Sequence, residues 1–273
     1  TFYSEAIRSR QYAEATLLYQ LEEALDNNKL TIHLQPKVRT RDGKIAGAEA
    51  LVRWQHPKNG FISPAVFIPL CEENGLIRQL DLFVFEQVCK CLAEWQHKGL
   101  PLLPISVNVS RQHFKNPHFL DDYQAILQRW HIPPEKIELE ITESIMFSSE
   151  ELSHLTDFIS EIHHIGFTCS LDDFGSGYSA LGVLQNIQID CLKLDRQFFA
   201  HSFQTENTKA VIETIMQLAQ KLGIATVAEG VEKEEQVLFL TSIGCDLIQG
   251  YYFFPPLAQK QFEAVAFSQD KPQ

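Results

Sequence analysis

The sequence predicts an α/β fold: a modified (β/α)8 barrel of the TIM type with an antiparallel first strand, preceded by an N-terminal linker helix. Three observations carry that prediction. From residue 30 onward short apolar runs alternate with helical patterns, as repeated βα units in a mostly parallel sheet require. Eight such runs are present, at Leu30–Val38, Ile45–Trp54, Pro104–Val109, Lys136–Thr142, Phe167–Phe174, Cys191–Asp195, Ala225–Val231 and Leu247–Phe253. The first two are joined only by Arg39–Lys44, too short for a crossover helix, and Asp42-Gly43 suits a hairpin turn, so these strands should run antiparallel.

Taken in order, residues 4–28 form a polar, alanine-rich helical stretch with Ile7, Ala15, Leu18, Leu21 and Leu25 loosely on one face. It reads either as a helix capping the barrel bottom or as a signalling linker. The expected division is a linker helix over 1–28, the barrel over 29–268 and a short tail over 269–273. Amphipathic helices are expected at Leu80–His97, Glu150–Ile165, Thr208–Leu222 and Lys233–Ile243, with Gly99, Gly166, Gly223 and Gly244 as their C-terminal stops.

A chain of 273 residues with 45% hydrophobic content can bury a full barrel core. Its formal charge of −12 repels a nucleic-acid backbone and an anionic membrane face, which excludes long nucleic acids as partners but not a small phosphate ligand met by a few local cations. The six cysteines lack Cys-x-x-Cys spacing and read as reduced core residues. No apolar stretch reaches the ~18 residues needed to span a bilayer, so this piece should be cytoplasmic and make no direct membrane contact. It begins with Thr1 rather than Met and reads as part of a longer protein, whose other parts could be membrane-anchored.

Strands of a parallel barrel are expected to be nearly all apolar, so ionic residues inside them mark a site. Here almost every run carries one: Gln35, Glu49 with Arg53, Asn108, Glu140 with Glu143, Asp172 with Asp173, Lys193 with Asp195, Glu229, and Gln249. Most lie in the later half of their runs, and the carboxyl ends of barrel strands open on one face. Glu49, Glu140, Asp172, Asp173 and Glu229 gather five carboxylates against Arg53 and Lys193. Two adjacent carboxylates at ~4 Å and an effective dielectric of ~20 repel by roughly 4 kcal/mol, so Asp172 and Asp173 demand a cation. Carboxylates and the Asn108 carbonyl are hard oxygen donors, which suit Mg²⁺ or Mn²⁺. Five carboxylates exceed what one Mg²⁺ takes from protein, which points to two ions roughly 3.5–4 Å apart with Asp172 as the bridge. The ten histidines show no ligand spacing and read as surface or capping groups. His33 and Lys37 are more polar than a first barrel strand calls for.

The stretch Glu49-Ala-Leu-Val-Arg-Trp54 resembles the signature of EAL-domain cyclic di-GMP phosphodiesterases. The rest of that family's pattern follows in order: Gln35-Pro36, Ser106-Val-Asn-Val-Ser110, Glu140-Ile-Thr-Glu143, Asp172-Asp-Phe-Gly-Ser-Gly-Tyr178, Lys193-Leu-Asp195, Ala228-Glu-Gly-Val-Glu232 and Gln249-Gly-Tyr251. The likeness spans about residues 20 to 262.

The resemblance implies hydrolysis of one phosphodiester bond of cyclic di-GMP to linear 5'-pGpG, within bacterial second-messenger signalling and with two Mg²⁺ or Mn²⁺ per site. It implies that Glu49, Asn108, Glu140 and Asp172 hold one ion, and Asp172, Asp173 and Glu229 the other. Lys193 or Glu229 would take the proton of the attacking water, with Glu49 beside them. Arg53 would grip a phosphate oxygen, and Gln35, Leu51, Asp195 and Gln249 would contact or orient the ligand. Glu143 would steady the loop from Phe174 to Tyr178. A homodimer and an upstream GGDEF or sensory domain are the implied partners. A second reading, a sensor that binds cyclic di-GMP without cutting it, requires loss of a metal ligand or of the lysine, and no such loss is visible.

Overall fold

The computed structural model describes residues 2–27, 29–58, 60–116, 118–142, 149–175, 184, 187–200, 203 and 205–268, with backbone alone for 2–10, 115 and 149–154. Its strands are β1 (Leu30–Arg39), β2 (Ile45–His56), β3 (Gly60–Ile62), β4 (Ile105–Asn108), β5 (Ile137–Thr142), β6 (Thr168–Phe174), β7 (Cys191–Leu194), β8 (Ala225–Ala228), β9 (Leu247–Ile248) and β10 (Leu257–Ala258). Its described helices, in chain order, are α1 (Phe2–Asp26), α2 (Pro64–Asn74), α3 (Ile77–His97), α4 (Phe119–Trp130), α5 (Ser149–Ile165), α6 (Glu206–Leu222), α7 (Glu234–Ser242) and α8 (Gln259–Ala266).

Eight strands close a barrel in the order β1-β9-β8-β7-β6-β5-β4-β2, with β1 pairing back onto β2. The strands from β2 round to β9 run parallel, whereas β1 is antiparallel to both its neighbours. The cause is the short hairpin read from the sequence, in which Gly43 adopts φ 68°, a left-handed conformation that costs glycine little. Reversing one strand puts the N-terminal end of β1 beside the C-terminal ends of the others, so both ends meet at the barrel mouth.

Two expected strands are shorter than their apolar runs. β8 stops at Ala228 and β9 at Ile248, which leaves Glu229 and Gln249 just beyond the strand ends. The chain turns at Gly230, with φ 63°, and the Gly250 backbone packs so closely that a Cβ there would run into the N and O atoms of Val231. Tertiary packing between these two loops therefore overrides the strand propensity of the apolar run.

The apolar core lies mainly between the barrel and its helices. Trp95 in α3 is fully buried, stacks on Phe262 of α8 with ring centroids 5.6 Å apart, and donates its indole N–H to Glu263. Trp54 packs edge-on against Phe67 of α2. Cys71, Cys89, Cys91, Cys169, Cys191 and Cys245 are all buried and unbridged, as expected. The last two turns of α1 bury Leu21, Ala24 and Leu25 in this core, while Tyr12 further up is 78% exposed.

The histidine reading needs correction at two positions. His113 is buried and its Nε2 lies 3.0 Å from Asp81 Oδ2, and His56 is buried edge-on to Trp54. A carboxylate on a neighbouring helix gives His113 the polar partner that makes burial tolerable. His131 does cap a helix, ending α4 in a left-handed conformation.

Because Leu21 is fully buried, Leu21→Ala is expected to destabilise the chain by about 2–5 kcal/mol in urea denaturation. Tyr12→Ala on the exposed stretch of the same helix should change stability by less than about 0.5 kcal/mol. Equal effects would mean that the end of α1 is not part of the core.

Candidate active site

Side chains alternate along a strand, and the barrel interior is lined by one set from each. On β1 and β2 the cross-strand partners Gln35 with Glu49 and Lys37 with Gly47 share the inward register, with Leu51 and Arg53 following Glu49 at spacings of two. Ser106 and Asn108 on β4, Glu138 and Glu140 on β5, Ser170 and Asp172 on β6, and Lys193 on β7 continue the lining by the same alternation. The interior is thus polar where a parallel barrel is usually packed with branched aliphatic side chains.

Lys193 sits at its centre, 1% exposed. Its Nζ lies 2.6 Å from Glu229 Oε1, 2.7 Å from Glu140 Oε2, 3.1 Å from Asp172 Oδ1 and 3.5 Å from Glu49 Oε2. Glu49 is held further by Gln249 Nε2, which donates to Oε2 at 2.6 Å, and by Asn108 Nδ2, which donates to Oε1 at 3.0 Å. Gln249 also donates to Gln35 Oε1, and Gln35 in turn donates to the Phe254 carbonyl. Gln249 Oε1 is buried with no hydrogen-bond partner among the described residues, an acceptor that a bound ligand would satisfy.

The paired aspartates depend on a local irregularity. Adjacent residues on a regular strand face opposite ways, but the pairing of β6 with β7 slips between Leu171 and Phe174. Asp173 takes φ 56°, a left-handed conformation that Asp tolerates better than most residues, and its N–H donates to Asp172 Oδ1 at 2.9 Å. The result brings one carboxylate oxygen each of Asp172, Asp173 and Glu229 within 4.8 Å of one another. Asp195, just past β7, caps the turn Arg196–Phe199 through the Gln197 N–H and lies close enough to Asp173 to interact with its carboxyl.

Crowding shows in the protonation equilibria. Burial and the Asp172 charge push the Asp173 carboxyl up to about 6. Burial pushes Glu229 up to about 8, against the attraction of Lys193 and helped by repulsion from Asp172, Glu49 and Glu140. Burial also raises Glu49. Burial would raise Glu140 as well, but Lys193 and then Lys37 hold it down to about 2. Lys193 stays an ammonium because Glu140, Glu229, Glu49 and Asp172 together overcome its burial. One cation cannot neutralise four carboxylates, and the three-oxygen cluster of Asp172, Asp173 and Glu229 is a hard donor set that fits a divalent cation.

The structure thus gathers Lys193, Glu229, Glu49, Glu140, Asp172, Asp173, Asn108, Gln249, Gln35 and Asp195 at one end of the barrel. Two cavities open there and share Leu51. One, of about 830 Å³, is lined by Gln35, Glu49, Glu229, Gln249 and the exposed ring of Tyr251. The other, of about 520 Å³, is lined by Arg53, Ile77, Leu80, Asp81 and Asn108. Arg53 is half-buried and donates to its neighbour's carbonyl at Val52, so it borders the carboxylate group without being tied to it. Glu143 and residues 176–178 of its expected loop lie outside the described residues.

Lys37 and Glu138 belong to this polar interior and were not among the expected site residues. Lys37 Nζ lies 3.1 Å from Glu140 Oε1 and 3.0 Å from Glu138 Oε1. One cation and one anion enter together, so the excess of carboxylates over cations is unchanged. The spacing of two from Gln35 to Lys37, and from Glu138 to Glu140, is the signal that marks them in the sequence.

A family model described as "EAL domain" matches residues 19–256. The bifunctional diguanylate cyclase/cyclic di-GMP phosphodiesterase MucR of Pseudomonas aeruginosa is 34% identical over 96% of this chain and 38% of its own length. The cyclic di-GMP phosphodiesterase NbdA of the same organism is 35% identical over 94% of this chain and 32% of its own length. The solved structure of the PaMucR phosphodiesterase in its c-di-GMP complex superposes with a TM-score of 0.83 at 35% identity, covering 90% of this chain and 99% of that one. The chain spans about a third of the length of the curated relatives it matches.

Asp173 and Glu229 bind their protons more tightly in the folded chain than in the unfolded one, where carboxyls titrate near pH 4. Folding therefore takes up protons between about pH 4 and pH 8, and stability should fall as pH rises through that window. Denaturation in chelator across this range should show that decline in the natural chain and a shallower one in Glu229→Gln. Identical slopes would show that Glu229 is not a crowded carboxylate.

Proposed function

We propose that this chain, which belongs to the EAL domain family, is a phosphodiesterase that hydrolyses cyclic di-GMP to 5'-pGpG. The observation that carries this reading is the Lys193 ammonium ringed by Glu49, Glu140, Asp172 and Glu229 beside the Asp172, Asp173 and Glu229 oxygens. The printed activities of MucR and NbdA, and the c-di-GMP in the PaMucR complex, support it.

In this reading Glu49, Asn108, Glu140 and Asp172 would hold one Mg²⁺ or Mn²⁺, and Asp172, Asp173 and Glu229 would hold a second. Such ions would supply an acidified water and neutralise charge on the phosphoryl oxygens. The side chains do the rest. Lys193 Nζ and Glu229 Oε1 lie 2.6 Å apart, and with Lys193 already an ammonium, Glu229 is the one of the two that could take the proton of the attacking water while Lys193 would orient that water. Gln249 and Asn108 fix the two oxygens of Glu49 through their amide N–H groups. The Arg53 fork, on the wall of the smaller cavity, suits a phosphate oxygen.

Two cavities meeting at Leu51 match a ligand with two bases on one phosphodiester ring. The exposed Tyr251 ring offers a stacking face in the larger cavity, and the Asp81 carboxylate in the smaller suits the N–H edge of guanine. Asp195, capping the turn beside Asp173, keeps the loop after β7 in register with the site. Glu143 would steady the loop after the paired aspartates.

Residues 29–268 form the catalytic unit in this account, with 1–28 as a linker helix and 269–273 as a tail. Relatives about three times as long, one of them named for a cyclase activity as well, support an upstream GGDEF or sensory domain, and the unit is proposed to work as a homodimer. No described helix is long and apolar enough to cross a membrane. A cytoplasmic location is part of the proposal, and the proposed second-messenger ligand supports it.

Purified protein with Mg²⁺ or Mn²⁺ should convert cyclic di-GMP to 5'-pGpG, identified by mass spectrometry. Asp172→Asn should lower turnover by more than about 100-fold, since even the outer-shell partners of catalytic metals are worth 10–100-fold. Its nucleotide affinity should survive through Arg53 and the cavity walls. Tight binding without turnover by the natural chain would favour a sensor, and near-normal turnover by Asp172→Asn would remove Asp172 from the site.

A further inference from the structure

Lys37 lies on β1 with 2% of its surface exposed, directly across from Gly47, where no side chain competes for the space. Its Nζ reaches two carboxylates of β5, Glu140 Oε1 at 3.1 Å and Glu138 Oε1 at 3.0 Å. Glu140 is completely buried, and its other oxygen, Oε2, lies 2.7 Å from Lys193 Nζ. Glu138, Lys37, Glu140 and Lys193 therefore form one chain of alternating charge inside the barrel, ending at the site. Each oxygen of Glu140 has its own ammonium.

A buried carboxylate held by one cation can still pivot about its Cγ–Cδ bond and share both oxygens with it. A second cation on the far oxygen removes that freedom. We propose that Lys37 is a positioning residue: by occupying Glu140 Oε1 it fixes the plane of that carboxylate and presents Oε2 to the site, so metal affinity depends on a lysine that does not itself touch metal or substrate. This rests on the reading of Glu140 as a metal ligand. Glu138 serves to keep Lys37 neutralised and anchored on its own side of the barrel.

The competing role is purely structural, Lys37 and Glu138 being a buried pair that stabilises the fold and nothing more. Removing Lys37 alone would leave its carboxylate partners uncompensated and destabilise the chain whichever role holds. The informative variant is K37M/E138Q, which removes the pair's opposite charges together; replacing a buried pair in this way is often neutral for stability. The experiment titrates Mn²⁺ into the full chain, following free Mn²⁺ by electron paramagnetic resonance, with urea denaturation alongside.

Positioning predicts that K37M/E138Q keeps close to the natural unfolding midpoint yet binds Mn²⁺ about tenfold or more weakly, the scale of losses at outer-shell partners of metal ligands. E138Q alone should bind Mn²⁺ as the natural chain does, because Lys37 still holds Glu140. If that double variant does not fold, K37Q/E138Q, which also removes both charges but keeps hydrogen-bonding amides, reads the same quantity, with a loss in the same direction expected. Natural Mn²⁺ affinity in a folded K37M/E138Q or K37Q/E138Q would overturn the proposal. A natural chain that takes up no Mn²⁺ would instead overturn the reading of Glu140 on which it rests.

Discussion

A single buried ammonium shared by four carboxylates sets the terms for this molecule. Lys193 Nζ lies within 3.5 Å of Glu49, Glu140, Asp172 and Glu229, and burial strengthens both its attraction to each and their repulsion of one another. Glu140, with two lysines, is driven far below the ordinary carboxylate range, while Glu229 and Asp173 are driven above it. The same residue type thus occupies opposite protonation regimes a few ångströms apart. Such a group is costly for a fold to hold together unless a further cation offsets the remaining charge.

The barrel is built to bear that cost. Reversing β1 brings Gln35 opposite Glu49 and Lys37 opposite Gly47, so the antiparallel strand delivers both an amide to the site and a second lysine beneath it. The slip between β6 and β7 turns two consecutive aspartates toward one cluster, at the expense of a left-handed Asp173 that costs on the order of 1 kcal/mol. Gln249 and Asn108 each spend a side-chain N–H on Glu49, fixing a group that would otherwise be repelled by its neighbours. Stability is conceded at the mouth and recovered in the aromatic layer outside, where Trp95, Phe262, Trp54 and Phe67 pack.

Most of this was legible in the residues. The hairpin over Arg39–Lys44 and the apolar runs fixed the barrel and its reversed strand, and the polar residues interrupting those runs are the ones that converge. What escaped the reading did so for physical reasons. The ends of β8 and β9 are set by contact of Gly250 with Val231, which no single run contains. Lys37 looked out of place because a lysine within a buried strand is tolerable only with a partner, and its partners lie on β5, about a hundred residues away. Spacing alone marks His113 as a surface or capping group because Asp81, which makes its burial tolerable, lies on another helix. Charge balance counted from sequence gives the right sign, an excess of carboxylates, but it sets Arg53 beside Lys193, whereas the cation that enters the carboxylate chain is Lys37, and Glu138 enters with it.

The central claim is that crowded carboxylates at the barrel mouth await divalent cations. Protons held by Asp173 and Glu229 must leave when a metal takes their oxygens, so metal uptake and proton release are linked. Calorimetric titration of Mn²⁺ into the chain at pH 7, repeated in buffers of different ionisation enthalpy, measures that link directly. The account predicts Mn²⁺ binding with net proton release. Failure to take up Mn²⁺ even with cyclic di-GMP present, or uptake with no proton exchange, would contradict it.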